Sequence, residues 1–432
     1  MNHTLNPTPA DFQKNKIHVL KLSSGHTLPV CWSDAPFGEA QDAVLVRHPS
    51  RLDVLSRLDD YPYVKALLGH STLIHARQRR EQVRQWLTES IYVFGAYKIG
   101  LVLARKARAA GVIIRSFLDN DRTKQGLVID DIPIQHPSQV LLENTVVLIA
   151  SGRHGNAIHE QLSQIEGVRL INMHEFLYAL DAPHQAGNFT DFAEAPVLDS
   201  FRFLSAFLRL DDERSRHVFD GLIGMRTGLS IRQANEIKSP YDEEYFCSDF
   251  VKSADTIRFV DAGAATGDTL QRLEARFGPV EQAWLFEPEL PAYYEALKRF
   301  ARRSNVWLFN MGLDEVASRE VYQPGLSFDP TCEIKGPIAK GAPSYIQGVP
   351  LDAVISGQVR LFKLDIEGME ARALKGGEGI IARDKPVLAV CAYHRADDYW
   401  RLMDVVLSIR PDYRVGIRLY ADNIEDVTLY FY

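Results

Sequence analysis

Short apolar runs, each stopped by a glycine or an acid and followed by helical spacing, recur along most of this chain. Ile91-Tyr92-Val93-Phe94 is one such run. It stops at Gly95, and a helix is predicted from there through Ala110. Val112–Leu118, Val146–Ala150 and Val168–Asn172 repeat the theme, with a helix near Ala157–Gln164. A second series begins at Ile257. Its predicted strands are 257–261, 283–287, 306–310, 359–365, 387–392, 413–418 and 427–431, and its helices lie near 269–277, 290–303, 369–382 and 396–409. Continuous apolar strands alternating with helices imply sheets buried on both faces. The fold class is therefore α/β, with two Rossmann-like units.

The remaining segments are less regular. Val44-Leu45-Val46 predicts a strand, Leu52–Leu68 carries helical spacing, and Ala76–Ser90 predicts a helix bearing Arg77, Arg79, Arg80 and Arg84. That basic face reads as solvated surface. Residues 181–197 are polar with Pro and Gly and read as a linker. Helical spacing returns over 198–210 and 214–227, and a connecting segment leads to Tyr241–Phe250. Residues 316–350 carry Pro324, Pro330, Pro337, Pro343 and Pro350, which suits a loop or hairpin excursion that could bind an acceptor. Its aromatic residues Tyr322, Phe328 and Tyr345 could stack on a sugar. The chain thus divides into an N-terminal segment (1–90), a Rossmann-like unit (91–180), a linker with helices (181–256) and a second α/β unit (257–432).

Length and charge narrow the picture. The 432 residues allow two to three domains. A net charge of −7 argues against nucleic acid or an anionic membrane as partner. Cys31, Cys247, Cys332 and Cys391 have no metal-ligand spacing and fit reduced thiols. The chain starts without an apolar signal segment, and no apolar run is long enough to cross a bilayer. A soluble cytoplasmic protein acting on a small-molecule or glycan acceptor is expected, with a homo-oligomer left open.

Chemistry concentrates in the second unit. Arg258-Phe-Val-Asp-Ala-Gly-Ala-Ala-Thr-Gly-Asp268 reads as a buried strand, a tight glycine turn and a helix N-terminus. No Lys follows the second glycine, so it is not a P-loop. Asp261 at the strand tip would repel a pyrophosphate but suits a cationic or hydroxyl-bearing ligand such as S-adenosylmethionine (SAM). Trp284-Leu-Phe-Glu-Pro288 ends a second strand on Glu287, placed to accept hydrogen bonds from ribose hydroxyls. Leu361-Phe-Lys-Leu-Asp-Ile-Glu-Gly-Met-Glu370 runs from strand into helix and puts Lys363, Asp365 and Glu367 on one side. Three acids at one strand tip repel one another unless a cation or a shared proton intervenes. Val390-Cys-Ala-Tyr-His394 then ends the next strand on a histidine, a candidate to orient an acceptor or take its proton.

These motifs together resemble the FkbM-type SAM-dependent methyltransferases, over about residues 241–432. Compared with the broader Asp-x-Gly-x-Gly-x-Gly signature of methyltransferases, the middle glycine is Ala265, as in the FkbM variant. The resemblance implies a seven-strand sheet with an antiparallel last strand and O-methylation, often of a sugar or natural-product hydroxyl. It implies that Asp261, Gly263 and Gly267 cradle the methionine portion, that Asp268 also belongs to the cofactor site, that Glu287 holds the ribose and that Asp314 approaches the adenine. Asp365, Glu367 and His394 would line the transfer face, with His394 or Glu367 as base. A divalent metal on those three is an alternative, which turnover insensitive to EDTA would exclude.

The first unit carries Gly95-Ala-Tyr-Lys-Ile-Gly100, with Tyr97 where a dinucleotide fingerprint needs its second glycine. Asp119 sits at the next strand tip, as a ribose-binding acid would. The unit reads as a binding or scaffold module. The alternative functions are an NAD(P)-dependent oxidoreductase, a sugar-nucleotide-binding protein and a catalytically silent assembly protein.

Overall fold

The computed structural model describes residues 2–3, 17–21, 27–32, 43–46, 52–69, 71–151, 154–184, 187–229, 233–255, 257–322 and 344–432. Among these the C-terminal sheet has seven strands. In chain order they are β1 (Arg258–Ala262), β2 (Gln282–Phe286), β3 (Val306–Phe309), β4 (Leu361–Leu364), β5 (Val387–Cys391), β6 (Val415–Leu419) and β7 (Val427–Phe431). Their spatial order is β3-β2-β1-β4-β5-β7-β6. β7 runs antiparallel to both β5 and β6, and the other pairs are parallel. All seven coincide with apolar runs in the sequence. Both faces are covered: Val260, Phe362 and Leu364 point into one core, and Phe259, Leu361 and Ala389 into another. This two-sided burial explains why the runs are continuous rather than alternating.

Helices α1 (Asp268–Phe277), α2 (Leu290–Phe300), α3 (Glu370–Gly376), α4 (Glu378–Asp384) and α5 (Asp398–Ile409) flank the sheet. The helix expected over 369–382 is interrupted at Gly377, whose would-be Cβ lies 3.3 Å from Leu351. The excursion after β3 is a hairpin, with Ser318–Tyr322 antiparallel to Ser344–Val349. Phe328 lies outside the described residues, as do the side chains of Tyr322 and Tyr345.

The second sheet has six strands in the order 169–172, 146–149, 91–94, 114–118, 132–135 and 128–129, antiparallel only at the last. The strands Ile132–Gln135 and Val128–Ile129 were not expected, being short and interrupted by Pro133. The segment read as a linker is largely helical, Phe189–Leu198, and buries Phe189, Phe192, Ala193 and Val197. Pro196 lies inside it and cannot donate to the Phe192 carbonyl one turn back. That carbonyl instead accepts from Arg226 Nε at 2.8 Å. Arg226 belongs to the helix Glu213–Gly228, which fastens to β6: the guanidinium of Arg418 on that strand meets Asp212, just before the helix, and Ser215 on it.

Candidate active site

Loop geometry begins with Gly263 and Gly267, both with left-handed φ (76° and 80°). A Cβ on Gly263 would fall 1.9 Å from the Asp365 carbonyl oxygen, and one on Gly267 2.4 Å from the Phe300 ring. Only glycine meets both demands. The loop after β1 is therefore pressed against the tip of β4. Ala265 between them also has φ 43°, where a methyl group costs about 1–2 kcal/mol. Its amide donates to Glu287 Oε2 at 2.8 Å, and Glu289 N donates to Glu287 Oε1 at 2.7 Å. Glu287 so ties the loops after β1 and β2 together while keeping capacity for further donors. Burial pushes its pKa up to about 7.

Asp261 on β1 stands opposite Lys363 on β4 in the parallel register. The two form a fully buried ion pair at 3.1 Å, and Lys363 Nζ also donates to the Gly263 carbonyl at 2.8 Å. Neither carboxylate oxygen of Asp261 has a well-directed hydrogen bond. Burial raises its pKa to about 6 against the opposing pull of Lys363. Lys363 is held charged, because Asp261 and Asp365 outweigh its burial.

The structure brings Asp365, Glu367 and His394 together at the ends of β4 and β5. His394 Nε2 lies 3.4 Å from Asp365 Oδ1 and 3.9 Å from Glu367 Oε2, and Nδ1 lies 2.8 Å from Glu370 Oε1. Burial would discharge the ring, but Glu370, Asp365 and Glu367 overcome it and raise its pKa to about 10. At neutral pH His394 is an imidazolium. Asp365 accepts from the Tyr245 and Tyr393 hydroxyls at 2.8 and 3.1 Å. Burial alone would raise its pKa, yet Lys363, His394 and Tyr245 hold it below the usual value. Glu367 adopts φ 57° and is about half exposed (48 %), so it presents its carboxylate outward.

Behind the ring stand Asp398, at the start of α5, and Glu425, between β6 and β7. Burial, reinforced by Glu370, lifts Asp398 to about 8, and burial lifts Glu425 to about 7. Neither carried a spacing signal in the sequence, and Tyr245 carried none either. Among the other candidates, Asp268 is exposed at the start of α1. Asp314 spends its carboxylate on Arg372 at 2.7 Å, Ser318 and its neighbour's amide. Among the described residues no group of three or more His, Cys, Asp or Glu side chains is arranged to hold a metal ion.

The sheet order, the glycine loop after the first strand and the acidic tip of the fourth define the class: an α/β methyltransferase unit. Residues 261–414, about a third of the chain, match the family model of the methyltransferase FkbM domain. The crystal structure of methyltransferase FkbM from Methylobacillus flagellatus KT shares the fold at TM-score 0.67 and 24% identity, over 84% of this chain and 98% of that one. A span that long reaches well beyond the C-terminal sheet. A putative methyltransferase from Streptococcus mutans, in complex with SAH, is a much looser likeness: TM-score 0.28, 14% identity, 45% of this chain and 99% of that one. No curated protein matches the chain. Among the described residues no helix is long and apolar enough to cross a membrane.

At the tip of strand 114–118 in the six-strand sheet, Asp119 accepts from the Ala96 and Asp121 amides and pairs with Lys124 at 2.9 Å. Gly100 packs so tightly that a Cβ would meet the Gly95 carbonyl at 1.8 Å. These glycines serve contact between helix and strand.

Proposed function

We propose that the chain is a SAM-dependent O-methyltransferase acting on a hydroxyl of a sugar or related metabolite. The observation that carries this reading is the charge balance at the strand tips. Asp261, Glu287, Asp365, Glu367 and Glu370 surround two cationic side chains, Lys363 and His394, and the Asp261 oxygens lack directed donors. Such a donor set fits a cofactor with a sulfonium and an ammonium and disfavours a pyrophosphate. Asp261 and the Gly263–Gly267 turn would hold the methionine portion, and Glu287 the ribose. When bound, SAM supplies an electrophilic methyl group.

The chain's own task is then to position a hydroxyl and remove one proton. His394 as an imidazolium has no lone pair to accept it. Glu367 is the exposed carboxylate at this face and is assigned as base; His394 braces Asp365 and Glu367 against mutual repulsion. Titration calorimetry with S-adenosylhomocysteine (SAH) and SAM tests the pocket. Micromolar binding by the wild type and its loss in Asp261→Ala are expected, with Asp261→Asn keeping the site's shape as a folding control. Unchanged affinity in both variants, or stabilisation by NAD alone, would refute the assignment.

A further inference from the structure

A cleft of about 400 Å³ lies between the Phe189–Leu198 helix and the loop that directly follows His394. Asp191, Glu194, Leu198 and Asp199 line the helix side, and Arg395 and Asp397 the loop side. None of the glycine-loop residues borders it, so it is separate from the cofactor cradle. Its size suits a small ligand rather than a water or two.

The two walls are fixed by one buried cation. Arg226, 2 % exposed, donates through Nε to the Phe192 carbonyl and through its terminal nitrogen to the Ala396 carbonyl, each at 2.8 Å. Phe192 O is available because Pro196 has no amide to offer it. The strap thus joins the helix wall to the loop wall. Glu194 is likewise pinned, by Arg77 at 3.0 and 2.6 Å and by the Tyr178 hydroxyl at 2.8 Å.

The lining has a sign. Glu194 is neutralised by Arg77, and the pairs of Asp397 with Arg395 and Arg401 are long, at 3.8 and 3.9 Å. That leaves the carboxylates of Asp191, Asp199 and Asp397 in the lining against the single guanidinium of Arg395, so the balance is negative. An anionic ligand would be repelled here, and a cationic one attracted. Leu198, 66 % exposed at the rim, offers an apolar edge for a ring face. We propose that this cleft is the acceptor subsite, and that it takes a cationic, amine-bearing polyol of about hexosamine size. The inference rests on the methyl-transfer reading above for its role, but not for its binding.

The test titrates D-glucosamine, D-glucose and D-glucuronate into the full chain at mildly acidic pH, with and without SAH, and follows them by saturation-transfer NMR. Glucosamine is expected to bind about fivefold more tightly than glucose, the worth of one exposed charge contact, with glucuronate weakest. Leu198→Trp, a rim substitution that leaves the core untouched, should abolish glucosamine binding while SAH affinity stays unchanged. Asp199→Lys should erase the preference for glucosamine over glucose. Equal or tighter binding of glucuronate, or glucosamine binding unaffected by Leu198→Trp, would overturn the proposal. Failure of the chain to bind SAH would instead sink the cofactor reading and leave the sugar titrations to decide the cleft.

Discussion

Replacing Glu370 with Gln removes the charge nearest His394 and leaves the backbone contacts of residue 370 possible, since Gln can still accept from the Ile366 amide at 3.0 Å. In the wild type the imidazole is raised from 6.5 to about 10 although it is fully buried. That difference corresponds to about 5 kcal/mol favouring the charged ring. At 2.8 Å and an effective dielectric near 20, Glu370 alone supplies about 6 kcal/mol of attraction. The single pair therefore matches the whole net effect, and Asp365 and Glu367 offset little more than the burial cost. In Glu370→Gln the His394 pKa should fall toward or below the ordinary 6.5. The sign follows from linkage: a group with a raised folded pKa adds stability below its unfolded pKa and loses it as pH rises through the folded value. The wild type should thus lose stability between about pH 6.5 and 10, and the variant should not. Proton–nitrogen correlation NMR of the His394 ring reads this directly, without any acceptor. A ring that stays charged above pH 9 in Glu370→Gln would refute the reasoning.

Two further outcomes follow from the same geometry. Asp398 is protonated in the fold up to about 8, because of burial and Glu370, but ionises in the unfolded chain near 3.8. Between those values the unfolded state binds fewer protons, so stability falls as pH rises. Asp398→Asn should flatten that slope by a few kcal/mol in urea melts across the range, and an unchanged slope would count against it. Gly263→Ala drives a methyl onto the Asp365 carbonyl at a left-handed φ and should cost about 2–5 kcal/mol, together with SAH binding; an unaltered Tm would show that the loop is not pressed against β4.

The C-terminal sheet was legible because two-sided burial leaves its strands as uninterrupted apolar runs, from Phe259-Val260 to Leu429-Tyr430-Phe431. The linker reading of 181–197 failed for an instructive reason. Phe189, Phe192, Ala193 and Val197 do carry helical spacing, but Gly187 and Pro196 disguise it. A proline is tolerated there only because a residue thirty positions away satisfies the carbonyl it strands. The site divides the same way. Asp261, Glu287, Asp365, Glu367 and His394 sit at strand tips, where local pattern marks them. Tyr245, Asp398 and Glu425 gain their part only through tertiary proximity, and no spacing announces that. Glu370 was visible as a first-turn acid, but its partnership with His394 was not.

The two glycine turns of this chain show why a motif needs its surroundings. Gly95–Gly100 and Gly263–Gly267 both follow a buried strand, and in both the glycines are demanded by contact with backbone or ring. At the first turn the neighbouring acid, Asp119, is quenched by two amides and Lys124, and it is partly exposed. At the second, Asp261 is fully buried, its lysine directs hydrogen bonds at the Ala262 and Gly263 carbonyls rather than at the carboxylate, and four more acids crowd the adjoining strand tips. An acid whose charge is already settled gives a ligand little to gain. An acid held in low dielectric with its partners misaligned favours any cation that can reach it, and each such arrangement costs stability in its absence. Charge left unsatisfied around Asp261 and His394, rather than the glycines alone, separates the turn with chemistry from the turn that packs.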